Sequence, residues 1–161
     1  MAMTISTSGM EALDKMLSQL GSKAQDVASG ALFDGAAVVA DAFAAAVGGI
    51  QTEPFKYAPP GSKRKPSPEE KAALMGKTGV AKFRKNGSEV DTIVGLTGSA
   101  GYADVAGHAK PVIEIARSIN SGTSFMDKQP IFRKAKSRST NAAKAAIVEK
   151  AEKMIQEITK G

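Results

Sequence analysis

The sequence predicts an α+β domain: a small antiparallel sheet with a β-hairpin, packed against a long helix in the N-terminal half and a second long helix at the C-terminus. Three observations predict it. Apolar residues recur at three- and four-residue steps near both ends of the chain, alternating apolar and polar residues flank an Asn-Gly pair in the middle, and 161 residues suit a single domain spanning 1–161.

The first element expected is a short helix over residues 8–20. Ser8 and Glu11 have capping-box spacing, and Met10, Leu13, Leu17 and Leu20 form an apolar stripe that stops at Gly21. A longer helix follows over 23–47, with Ala28, Leu32, Ala36, Val39, Phe43 and Ala46 on its inner face. Gly35 lowers helix propensity within it and would let another backbone approach closely. Gly48 and Gly49 end this helix.

Residues 50–67 read as a mobile, basic, proline-rich arm, since the stretch from Gln51 to Pro68 holds five of the chain's seven prolines. Ser67 followed by Pro68, Glu69 and Glu70 is an N-cap with proline at the first helical position, predicting one or two turns that end at Gly76. The hairpin covers 79–96, with Val90, Thr92 and Val94 on one face and Asp91 and Ile93 on the other. Residues 97–111 read as a glycine-rich loop or irregular strand. Val112, Ile115, Ala116 and Ile119 fit helical spacing somewhat better than strand alternation. The last helix spans 133–160, with Ala143, Ile147, Ala151, Met154, Ile155 and Ile158 along one stripe.

Composition narrows the chemistry. With no cysteine, disulfides, thiolate metal sites and cysteine nucleophiles are excluded together, and a reducing compartment is expected. The N-terminal residues do not resemble a secretory signal, and Asp34 and Asp41 interrupt the most apolar stretch, so neither export nor a membrane partner is expected. One histidine, His108, cannot supply a histidine-rich metal site, and no nucleophile has a histidine partner. The run Met75 to Gly79 matches the end of a phosphate-binding loop, but that pattern needs glycine where Lys71 stands, and its context here is helix to strand. The chain therefore reads as no enzyme, with no catalytic residues, no cofactor and no metal.

What stands out is positive charge. The net charge is +6, and between Lys56 and Lys85 nine bases face two acids. A second cluster, Lys128, Arg133, Lys134, Lys136 and Arg138, contains no acid. Lys56, Lys63, Arg64 and Lys65 in the arm, with Lys128, Arg133 and Lys134, are the expected interaction residues. A small basic nucleic-acid-binding module that uses the first cluster is one function consistent with this pattern, although only Phe55, Tyr57 and Phe83 interleave with its bases.

The run INSGTSFMDKQPIFRKA, residues 119–135, points to another. Gly122 offers a backbone conformation closed to other residues, Pro130 stops strand pairing, and Phe132 anchors the start of the last helix. Gly122, Thr123, Ser124, Met126, Gln129, Pro130, Phe132, Arg133 and Ala135 keep most of a pattern in which a Glu-Phe-Gly-Thr-Ser turn runs through a few residues to Gln-Pro-Phe-hydrophobic-Arg-Pro-Ala. In this the chain resembles the tail-component, or tail-completion, family of long-tailed bacteriophages. Residues 9–13 are similar to the family's opening helix, whereas Asn120 and Ser121 replace its acidic and aromatic residues. The resemblance implies a structural virion protein at the head–tail junction, assembled in the host cytoplasm: a neck subunit acting in tail completion, tail termination or head–tail joining. Its implied partners are copies of itself in a homo-oligomeric ring (a hexamer), the adjoining connector or stopper, the tail-tube or terminator protein, and DNA in the lumen.

Overall fold

The computed structural model describes residues 3–6, 21–54, 59–87, 89–103 and 107–160. Its elements are β1 (Met3–Ser6), a 3-10 turn (Gly21–Lys23), α1 (Ala24–Gly48), α2 (Pro68–Leu74), β2 (Thr78–Val80), β3 (Arg84–Asn86), β4 (Glu89–Leu96), β5 (Ser99–Ala103), β6 (Ala109–Pro111), α3 (Val112–Ser121) and α4 (Ile131–Lys160). The α+β architecture, the hairpin and both long helices match the expectation. The short helix expected over 8–20 lies outside the described residues.

α1 and α4 form the frame. Gly30 lies against Met154, Gly35 against Ile147, and the Phe43 ring against Phe132, so the two helices run antiparallel. All six inner-face residues expected on α1 are buried, as are Ala143, Ile147 and Ala151 on α4, while Met154, Ile155 and Ile158 pack at the edge of the same cluster. α1 is long and apolar enough to cross a membrane by length and composition, despite the two aspartates. In this fold its apolar stripe is covered by α4 and the sheet.

Gly35 does what its placement suggested. A Cβ there would collide with Ile147 Cγ1 and fall 3.2 Å from the Ala143 carbonyl oxygen, so glycine sets the distance between the helices. At Gly30 the nearest atom would be the Sδ of Met154 at 2.8 Å, the far end of a flexible side chain that can turn aside. Both alanine substitutions gain about 1 kcal/mol of helix propensity. Gly35→Ala should still lose about 2 kcal/mol net through overpacking, whereas Gly30→Ala should be neutral or stabilising. Thermal melting of the two variants side by side checks this opposition.

β4 is the centre of the larger sheet. β1 pairs along one edge (Met3 with Val94, Ser6 with Asp91), and β2 and β3 pair end to end along the other, all antiparallel. β2 and β3 are one hairpin arm interrupted at residues 81–83. There the Ala81 N–H still donates to Ile93 O at 2.8 Å, while its carbonyl accepts from the buried Thr92 hydroxyl at 2.7 Å. Val90, Thr92 and Val94 are buried beneath α1, as the alternation predicted.

The hairpin turn is one residue later than an Asn-Gly loop implies. Asn86 pairs with Glu89 across the sheet, which leaves Gly87, at φ +61°, first in the two-residue connection. This register sets Arg84 opposite Asp91, where Arg84 Nε donates to Asp91 Oδ1 at 2.9 Å.

Around the other end of α1 a second layer collects. α2 carries the complete capping box, with the Glu70 N–H donating to Ser67 Oγ and the Ser67 N–H to Glu70 Oε2. β5 and β6, part of a segment read as loop or irregular strand, form a two-stranded ribbon that leads into α3. Val112, Ile115, Ala116 and Ile119 of α3 are buried with Leu74, Leu96 and the end of α1.

Candidate functional site

The corner between α3 and α4 is built from the residues that carry the sequence resemblance. α3 stops because Gly122 takes φ +74° and ψ 170°, a region open essentially to glycine alone. The chain then folds back on itself. The Thr123 N–H donates to Met126 O at 3.0 Å, the Phe125 N–H to the Thr123 hydroxyl at 3.3 Å, and the Gln129 N–H to Ile119 O at 2.8 Å, satisfying a carbonyl at the end of α3. Met126 points into the core at 2% exposure. Ser124 is exposed.

Two side-chain amides complete the corner. Asn120 Oδ1 accepts from the Phe132 N–H at 3.1 Å, tying the last turn of α3 to the first of α4. The Gln129 carboxamide clasps the backbone of Gln51 in both directions, accepting from its N–H at 2.9 Å and donating to its carbonyl at 2.8 Å. The Pro130 carbonyl accepts from the Lys134 N–H to begin the helix, and Phe132 stacks obliquely on Phe43 at 5.1 Å between centroids. The corner therefore joins α3, α4 and the chain after α1, and its Met126 and Ile131 share a core cluster with Leu96 at the end of β4.

Its third wall is the supposed arm, and here the structure corrects the reading. The Arg64 N–H donates to Phe125 O and the Asp127 N–H to Arg64 O, both at 2.9 Å, so this part of the proline-rich segment lies as a short parallel bridge along the corner. The Arg64 guanidinium turns inward and grips Glu70 with two bonds of 2.7 Å, with 10% and 13% of the two side chains exposed. Its outer face lies 5.8 Å from the centroid of Phe125. Arg64 is thus a structural residue, and residues 62–67 are held rather than trailing. The physical reason is that a buried carboxylate at the start of α2 needs a fixed counter-charge.

Burial alone would push the Glu70 carboxyl up, but the hydrogen bonds from Arg64 and the Ser67 N–H and the Arg64 charge outweigh it, and its pKa ends below the ordinary value. The Arg64 guanidinium is held above its usual range, first by that same bond to Glu70. Tyr102 closes the cluster with a buried hydroxyl that has no hydrogen-bond partner, and burial, with Glu70 and Glu69 nearby, pushes its pKa up so that it stays a neutral phenol.

Other bases of the first cluster are also engaged internally. Lys65 Nζ sits 3.7 Å from Glu53 Oε1, Arg84 pairs with Asp91, and Lys71 Nζ donates to the carbonyls of Gly48 and Ile50, where its charge suits the C-terminal end of α1. Lys63 is exposed, and Lys56 lies outside the described residues. Lys128, Arg133 and Lys134 are all exposed around the start of α4.

Residues 75–79 run from the end of α2 into β2, the reverse of the strand-to-helix order of a phosphate-binding loop. Among the described residues no group of three or more histidine, aspartate or glutamate side chains converges as a metal site would require. The site that does emerge is a joint, with Phe125 at 55% exposure and the basic residues on its outside. Sequence reading named Gly122, Gln129 and Phe132 but missed Glu70, Asn120 and Gln51. The sequence marked Ser67 as an N-cap, with no sign that Glu70 completes the box or pairs with Arg64. Compared with protein-family models, with curated proteins and with solved structures, the chain matches none.

Proposed function

We propose that this chain is a structural subunit of a tailed bacteriophage neck, assembling as a ring, of sixfold symmetry in the simplest form, between the tail tube and the head connector. One observation carries the reading: the residues that resemble the tail-component signature coincide with the joint between α3 and α4, and several of them have a positional job there. Gly122 supplies the reversal, Gln129 the clasp and Phe132 the anchor. Such a motif suits a protein whose function is its shape. The reading also fits the outward placement of Phe33 and Phe125, each more than half exposed, as apolar contacts for neighbouring subunits or rings.

Its partners are then further copies of the chain, the connector or stopper on one side and the tail-tube or terminator protein on the other. The free nucleic-acid module based on residues 56–85 has less support, because Arg64, Lys65, Lys71 and Arg84 already hold partners within the fold. A complementation experiment tests the proposal. Extracts of infected cells lacking this protein should accumulate filled heads and separate tails, and purified protein should restore joined particles. Normal joining without it would refute the reading.

A further inference from the structure

From Lys128 to Val148 the chain carries six bases and no acid, and the fold arranges most of them as one surface. Ile131, Ala135, Ser139, Ala143 and Ile147 face the interior of α4 at steps of four. On the opposite side Arg133, Ser137, Thr140 and Lys144 follow one line at steps of four, three and four, and Lys134, Arg138 and Asn141 follow the line beside it, all exposed. The span from 133 to 144 is about 16 Å of helix axis.

Two features mark this face, the first shared with other surface bases such as Lys77, Lys82 and Lys85, the second its own. None of Arg133, Lys134, Arg138 or Lys144 makes an ion pair with a described residue, whereas Arg64, Lys65, Arg84 and Lys150 all do. In addition, Arg133 and Lys134 occupy the first turn of α4, which holds no acid, so two cations sit at the positive end of the helix dipole, against local stability. A helix selected for stability alone would place acids there. Ser137 and Asn141 between the bases add donors suited to phosphate oxygens, while the Thr140 hydroxyl already donates to the Lys136 carbonyl at 2.7 Å.

We infer that the outward face of α4 from Arg133 to Lys144 binds the phosphate backbone of double-stranded DNA without regard to sequence. Duplex DNA presents about one negative charge per 1.7 Å of axis, so it offers this row of cations more phosphates than they can neutralise. The side chains are bases and short polar groups with no aromatic for stacking, which favours duplex backbone over single strands. The inference holds for the free chain and does not depend on ring assembly.

Fluorescence anisotropy with short duplexes of unrelated sequence tests it. Four neutralised phosphates give a slope of log affinity against log salt of about −3.6, a roughly hundredfold weakening between about 50 and 200 mM salt. Arg133→Gln/Lys134→Gln/Arg138→Gln should reduce the slope by about 3, while the matched Lys77→Gln/Lys82→Gln/Lys85→Gln should leave most binding intact. Unchanged melting curves would exclude misfolding. In the wild-type protein, amide shift changes on adding DNA should centre on 133–144. Absence of binding at low salt, equal losses in the two triple variants, or capture only of an acidic protein at this face would overturn the inference. Sedimentation of the same samples separates it from the assembly proposal: a monomer that binds DNA through α4 upholds the first and counts against the second.

Discussion

Gly122→Ala should destabilise the protein by about 3 kcal/mol, the sum of a disfavoured backbone conformation and a collision. With φ +74° and ψ 170° the position lies where an L side chain is strained before any contact is counted. A Cβ would then meet Lys128 N at 3.1 Å and Met126 O at 3.1 Å. Both are backbone atoms of the folded-back segment, and Met126 O is already held by the Thr123 N–H. Relief would require the segment to open, releasing Met126 from the core. Gly61→Ala is the control: its φ is +79°, but nothing lies within 4 Å of the added carbon, so it should cost about 1 kcal/mol from backbone strain alone. Denaturant melts of the two variants, read as midpoint shifts at constant slope, give the comparison.

The second large effect is expected at the Arg64–Glu70 pair. Removing either partner leaves a nearly buried charge without its counter-ion, so Arg64→Met and Glu70→Gln should each lose about 3 kcal/mol, lowering the melting midpoint by about 10 °C for a domain of this size. The double variant should be about 2 kcal/mol more stable than the sum of the single losses, since it removes both charges together. The pH dependence follows from Glu70. Its carboxyl binds a proton less readily in the folded state than in the unfolded chain, so the pair's contribution is complete above the ordinary value of 4.5 and is lost as pH falls from there through the folded value. Wild-type stability should therefore drop more steeply with acid than that of Glu70→Gln in the same interval. Parallel acid dependences would remove Glu70 from the account.

The contrast between these two sites explains what the sequence could and could not reveal. Gly122 lies within a run of adjacent residues whose turn chemistry is local, and the helices around it announce themselves through periodic apolar residues. For the same reason α1 and α4 begin and end within two residues of their expected limits. Arg64 gave no such signal. Its partner is six residues away across a proline-rich stretch, and its backbone partners, Phe125 and Asp127, are about sixty away, so only the closed fold shows that this base is structural. β1, β5 and β6 escaped for a related reason, being three to five residues long, too short for alternation to register. The hairpin turn slipped by one residue because the pairing of Arg84 with Asp91 and the burial of Val90 outweigh the Asn-Gly preference.

The two basic clusters, alike in the sequence, separate in the fold. Much of the first is spent on holding α1, α2 and the hairpin together, while the second covers the outside of α4. The corner joins the two regions, since one side of it grips Arg64 and the other launches α4. A frame that keeps surfaces at fixed positions suits the ring subunit proposed above.

Negative-stain electron microscopy of the purified full chain, with sedimentation velocity across a wide concentration range, tests that claim most directly. Closed annular particles with a central channel are expected, populated increasingly as concentration rises; a protein that stays monomeric throughout and forms no rings would contradict the ring-subunit reading.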